Sequence, residues 1–170
     1  MKIQLVSPAE KYRESFLRGL RELQHEGLPW WVGGDLDIAE QDFAAFVARR
    51  LADSNRRADT LVPKTHLWAV ADGEFVGRIS IHHELSDALR VEGGHIGYDT
   101  VPSFRGRGVA TEMLRHALPM ARALGLTEVL LTCDDTNVAS IRVIENNGGS
   151  LRRTRALASG ALKRYYWITL

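Results

Sequence analysis

Gly93-Gly94-His95-Ile96-Gly97-Tyr98-Asp99-Thr100-Val101-Pro102-Ser103-Phe104-Arg105-Gly106-Arg107-Gly108-Val109-Ala110 reads as a strand, a tight glycine turn and the first turn of a helix. Residues 95–101 have the β-branched and aromatic content of a strand. Pro102 cannot continue a central strand, because it has no N–H to donate. Arg105-Gly106-Arg107-Gly108 is too rich in glycine for a regular element, so the backbone turns there. From Val109 the apolar residues return at helical spacing, at Val109, Met113, Ala117, Ala121 and Leu124.

Such a turn suits an anion. A helix N-terminus leaves unpaired N–H groups and a partial positive charge pointing outward. Glycines remove the side chains that would hold a phosphate away from them. Arg105 and Arg107 add charge and donors. Neither common nucleotide fingerprint is present: the Walker pattern is absent, and the dinucleotide spacing with an acidic residue ~20 positions on does not fit. On these residues alone, a plain strand-to-helix connection remains the alternative to a pyrophosphate cradle.

Arg105-Gly106-Arg107-Gly108-Val109-Ala110 matches the acyl-CoA signature [QR]-x-x-G-x-[GA] and resembles the GNAT superfamily of N-acetyltransferases. Pro102-Ser103-Phe104 looks like the usual approach to that turn. Asn137-Val138-Ala139-Ser140 and Glu145-Asn146-Asn147-Gly148-Gly149 resemble the family's second block, an Asn-x-x-Ser helix ending in Gly. The resemblance covers residues 67–170, and three separate segments agree in order and spacing.

The 170 residues amount to about one domain, so residues 1–170 are expected to form a single GNAT-like domain. A formal net charge of +1 and the absence of a basic run argue against a nucleic-acid partner. No apolar run is long enough for a membrane span, and the first eight residues are too polar for a secretory signal. The single Cys133 excludes an internal disulfide or a cysteine-based zinc site, so no metal is expected. A cytoplasmic enzyme is the simplest reading.

Along the chain, residues 3–6 read as a strand, and Ser7-Pro8 as a helix start in which Ser caps and Pro takes the first position. Gly27 to Gly34 reads as a loop carrying Trp30 and Trp31. Those indoles either plug the core edge or wall an acceptor pocket. Residues 37–53 read as one second helix, and residues 54–64 as a polar loop. Residues 65–70 and 75–81 form a hairpin through Asp72-Gly73. The helix after the glycine turn contains Pro119, which should kink or shorten it and belongs on the outer surface. Residues 128–132 read as a buried strand, followed by a short helix and two strands around Gly160. The order β-α-α-β-β-β-α-β-α-β-β is an α/β fold with a mixed sheet and helices on both faces. The resemblance implies a GNAT-like, mostly antiparallel sheet whose central strands splay apart, here between residues 94–101 and 129–132, to admit the pantetheine arm.

The resemblance further implies acetyl-CoA as co-substrate. Its pyrophosphate would meet the N–H groups of Arg107, Gly108, Val109 and Ala110, with Gly106 in the turn and Arg105 nearby. Backbone groups of Asp99, Thr100 and Val101 would pair with the pantetheine, and one would donate to the acetyl carbonyl. Asn137 matches the family asparagine on the pantetheine arm, or simply caps its helix; Ser140 is a further CoA contact. The family's general-acid tyrosine falls at Ile144, which departs from the pattern. Three residues stand as candidates for the general base: His95, Glu84 and His83. Tyr98 and Asp99 alternatively line the acceptor site, and Glu92 with Asp134-Asp135 either attracts an amine or is merely solvated. The expected reaction is direct acetyl transfer to the primary amine of a small molecule or peptide, since no nucleophile–base pair is evident. A non-catalytic acyl-CoA module and a nucleotide-phosphate binder are the rival readings. Related enzymes are often dimers, which by analogy points to a homodimer.

Overall fold

The computed structural model describes residues 1–27, 30–55 and 62–170, those of 30–33 by backbone alone. Two antiparallel sheets carry the architecture. The first has the order β1 (Gln4–Val6), β2 (Lys64–Ala71), β3 (Glu74–His82) and β4 (Ile96–Thr100). The second has the order β5 (Glu128–Asp134), β7 (Leu162–Thr169) and β6 (Ser150–Ala156). The β2–β3 hairpin closes through Asp72 and Gly73, both at positive φ (51° and 81°), the geometry of a two-residue primed turn.

Helices cover both faces. On one lie α1 (Arg13–His25), α2 (Trp30–Gln41) and α3 (Phe43–Ala52). Their apolar stripes meet Trp68, Phe75 and Val101 around a stacked Phe16–Trp68 pair, with ring centroids 4.4 Å apart. On the other face, α5 (Val109–Ala123) and α6 (Val138–Asn146) bury Met113, Leu114, Ala117 and Ile144 against the inner residues of both sheets. The short α4 (Asp87–Val91) precedes β4.

Three local readings are corrected. The chain does not enter a helix at Ser7-Pro8. Ala9 is still extended, a 3₁₀ turn runs Glu10–Tyr12, and α1 begins at Arg13. The single helix expected over 37–53 is two, because Asp42 is extended (φ −150°) and its carboxylate caps α3 by accepting from Ala45 N–H at 3.0 Å. The loop expected from Gly27 to Gly34 instead gives way to helix at Trp30, while the placement of both indoles lies outside the described residues. Most of the 54–64 loop also lies outside them. Pro119 is exposed, and α5 runs past it to Ala123 before Gly125 (φ 90°) ends the turn.

The two sheets part between β4 and β5. They touch at one end only, through an isolated bridge between Gly94 and Leu131. There His95 N–H donates to the Leu130 carbonyl at 2.7 Å, and Leu130 N–H donates to His95 Nδ1 at 2.9 Å. Gly94 permits this approach. Its φ is +71°, and an added Cβ would lie 2.3 Å from the Leu130 oxygen. Around the joint, Lys163 Nζ reaches Glu92 at 2.6 Å and Asp134 at 2.7 Å, and Tyr165 OH donates to the Val91 carbonyl at 2.7 Å. Beyond it, toward Thr100, no ladder connects β4 to β5.

Candidate active site at the split between the sheets

The glycine turn stands at the open end of the split. Gly106 and Gly108 have φ of 72° and 79°, and each would point a Cβ into open space. Gly108 precedes α5 without any side-chain cap. The first helical bond there runs from Glu112 N–H to Gly108 O at 3.0 Å. The N–H groups of Val109, Ala110 and Thr111 therefore lack acceptors among the described residues, and they sit at the positive end of a 15-residue helix. The Arg105 side chain folds back: Nε donates to the Thr100 carbonyl at 3.3 Å and Nη1 pairs with Glu26 at 2.7 Å. Arg107 lies 5.6 Å from the Phe104 ring centroid. The turn presents main-chain donors with the exposed Arg107 beside them, while the Arg105 guanidinium is engaged by Thr100 and Glu26.

A cavity of about 550 Å³ opens in front of this turn. Arg105, Gly106, Gly108, Val109 and Ala110 line it on one side, and Asn137 and Ser140 on the other. Asn137 also caps α6, its Oδ1 accepting from Ser140 N–H at 3.0 Å, so the helix-cap reading of that residue is realised within the cavity wall. The Nδ2 donors of the same amide are not used by the cap. Asp99 and Thr100 complete the wall, and Thr100 Oγ1 is buried without a hydrogen-bond partner. Val101 is a correction. Its N–H donates to the Val76 carbonyl at 3.0 Å inside the sheet. Antiparallel alternation then turns the Asp99 N–H toward β3 as well, and leaves the N–H groups of Tyr98 and Thr100 facing the split.

A second cavity, of about 420 Å³, lies on the α1–α3 side of the first sheet. Alternation brings Lys64, His66 and Trp68 of β2 and Arg78, Ser80 and His82 of β3 to the same face, where Lys64 registers opposite His82. Asp35 from α2 bridges two cations. It pairs with Arg50, and its Oδ2 accepts from Arg78 Nη1 at 2.7 Å. Arg78 Nε donates to Asp99 at 3.2 Å. His66 Nε2 lies 3.0 Å from Asp53, yet burial and the nearby Lys64 and Arg50 outweigh that carboxylate and hold the ring neutral. Burial, then Lys64, pushes His82 down to about 4, and its buried Nδ1 has no hydrogen-bond partner. Burial, then Arg50 and Arg78, also pushes the Lys64 ammonium below its ordinary range.

Tyr98 and Asp99 belong to the linings of both cavities. Tyr98 OH reaches across the split to the Ser140 carbonyl at 3.5 Å, and burial raises its pKa to about 12. Ile144, where the resemblance would place a tyrosine, is 1% exposed and belongs to the core.

None of the three residues expected as base lines either cavity. His95 is 6% exposed, its Nδ1 accepts from Leu130, and burial pushes its ring down to about 4. It fastens the sheets. His83 bonds Thr65 Oγ1 at 2.8 Å on the opposite face from His82. Glu84 is exposed beyond the strand end. Glu92, Asp134 and Asp135 are held by Lys163 and Arg164. What sequence reasoning missed is Lys64, His66, Arg78 and His82. The available signal was period-two alternation, which gathers charged and polar side chains on a strand face that helices should cover.

Among the described residues no group of three or more His, Cys, Asp or Glu is placed to hold a metal, and no helix is long and apolar enough to cross a membrane. No curated protein matches the sequence. Solved structures do. RimL, a ribosomal L7/L12 α-N-protein acetyltransferase solved with coenzyme A, is similar at 16% identity and a TM-score of 0.72, over 100% of this chain and 95% of that one. A GNAT-family acetyltransferase from Streptococcus pneumoniae matches at 14% identity and a TM-score of 0.68, over 99% of both chains. A putative acetyltransferase from Salmonella typhimurium, solved with acetyl-CoA, matches at 16% identity and a TM-score of 0.60, over 99% and 93%. These likenesses establish the fold. The family model for the acetyltransferase (GNAT) domain matches residues 6–150, and the chain belongs to the GNAT acetyltransferase family.

Proposed function

We propose that the protein is a cytoplasmic N-acetyltransferase that moves the acetyl group of acetyl-CoA directly to a primary amine within a ternary complex. The observation that carries this reading is the pair of cavities meeting at Tyr98 and Asp99, one backed by unpaired helix N–H groups and the other by titratable side chains. A reaction in which the amine attacks the thioester needs two ligands held side by side. The N–H groups of Val109, Ala110 and Thr111 hold the diphosphate. Those of Thr100 and Tyr98 face the pantetheine arm and polarise the carbonyl as charge develops on its oxygen.

His82 takes the role of proton acceptor. His82 lines the acceptor cavity, and with its ring proton on Nε2 the buried, unpartnered Nδ1 keeps a lone pair for a proton. As the C–N bond forms and the C–S bond breaks, the amine proton passes to His82 and the departing thiolate takes the Tyr98 phenol proton. Both groups are restored by exchange with solvent. Tyr98 thus reaches from β4 the region that a tyrosine on α6 would occupy. A pKa near 12 keeps it protonated until the thiolate forms.

The test is thiol release from acetyl-CoA, followed with a thiol-reactive dye across a panel of primary amines. Amine-dependent release supports the reading. The buried Ile144 favours one alternative, a non-catalytic acyl-CoA module. CoA binding without thiol release from any amine would establish that alternative instead.

A further inference from the structure

One cation at the acceptor cavity is left without a close partner. Among the described residues, Arg50, Lys64 and Arg78 line it with the carboxylates Asp35 and Asp99, and Asp53 stands beside them, 3.6 Å from Arg50 and 3.0 Å from His66. Both carboxylates are already engaged by arginines, Asp35 by Arg50 and Arg78, and Asp99 by Arg78. The Lys64 ammonium has no ion-pair or hydrogen-bond partner among the described residues, although its backbone N–H donates to the Asp53 carbonyl at 2.8 Å. Opposite it on β3, His82 leaves Nδ1 unpartnered. A partly buried ammonium beside two guanidinium groups is electrostatically unfavourable, which is why its proton is held loosely. An anionic group on a ligand would give this ammonium the close partner that the described residues do not.

We propose that the acceptor is a small amine carrying a second, anionic group, a carboxylate or a phosphate, and that Lys64 is the counter-charge for that group. This rests on the transferase reading above. Paired arginines leave the carboxylates little capacity to capture a cationic amine, so recognition falls to the acceptor's negative end. About 420 Å³ accommodates a small molecule of this kind. The same positive field favours the neutral form of the acceptor amine, which is the form that attacks. Burial is the first cause that depresses His82 and Lys64 the second, and an anion beside Lys64 offsets that second part. Binding and deprotonation are thereby linked through one lysine.

The test uses matched acceptors: α-amino acids against their carboxamides, and phosphoethanolamine against ethanolamine. In the wild type, the anionic member of at least one kind of pair has a kcat/KM at least tenfold above its neutral partner. The kind of pair that responds distinguishes carboxylate from phosphate. In Lys64→Met the ratio falls to near one, mainly through KM, and Lys64→Arg restores it. Acetyl-CoA affinity by calorimetry serves as the folding control. Neutral partners used as well as anionic ones by the wild type, or a preference retained in Lys64→Met, would overturn the proposal. If no amine is acetylated, the transferase reading fails on its own. The anion site is then decided by titrating acetate and inorganic phosphate into CoA-loaded protein. Binding at least tenfold tighter to wild type than to Lys64→Met sustains the site, and equal binding removes it.

Discussion

Gly108 concentrates the donor site into one residue. Its φ of 79° is a conformation that L side chains rarely adopt, and it is the last residue before the unpaired helical donors. Gly108→Val should raise the Kd for CoA at least tenfold by calorimetry, with far-UV dichroism unchanged. Normal CoA affinity in that variant would remove the cradle. His82→Gln should lower kcat by about a hundredfold with a smaller change in KM, the scale on which a positioned base acts. A kcat within threefold of wild type would return the base to water. The glycine turn was legible in the sequence because its cause is local: positive φ and a helix start are written in adjacent residues. The base was not. His82 and His83 are neighbours, and only strand register decides that the first faces the cavity while the second bonds Thr65.

At the scale of elements, the sheets are joined by close contact at Gly94 and kept apart beyond it. Gly94→Ala would set a methyl group against the Leu130 carbonyl, whereas Gly97 on the same strand has nothing within 4 Å of its would-be Cβ. Gly94→Ala should lose about 2–3 kcal/mol in chemical denaturation, from strain and overpacking together. Gly97→Ala should lose under about 1 kcal/mol. Equal losses would mean that the contact at Gly94 is slack. The strands were readable from their alternation, and the β2–β3 turn from Asp72-Gly73. The helical layer was less so. The Asp42 carboxylate, by capping α3, divides a stretch whose apolar spacing looks continuous. α2 starts at Trp30 and runs through Gly33-Gly34, packed on α1, a tertiary influence that local propensity does not contain.

For the whole molecule, His95 and His82 couple folding to pH. Both are held neutral with pKa values of about 4, below the ordinary 6.5. Unfolding releases them to bind protons between these limits. Their stabilising effect is therefore complete above about pH 6.5 and is lost as pH falls toward 4, with a slope of up to about 1.4 kcal/mol per pH unit for each ring. Urea denaturation at half-unit intervals measures this. His95→Gln should be less stable at pH 7 and show a shallower slope, and an unchanged slope would clear His95 of the effect.

The fastening around Lys163 has a mechanical consequence. Six residues at about 3.3 Å each separate the Gly94 joint from Thr100, so the fulcrum lies roughly 20 Å from the mouth of the wedge. Over such an arm, a rotation of a few degrees at the joint changes the mouth by an ångström or more. Lys163→Met, which alters no group in either cavity, should therefore weaken CoA binding severalfold by calorimetry. The chain would grip its ligand as pincers do, with a strength set at the pivot as much as at the jaws.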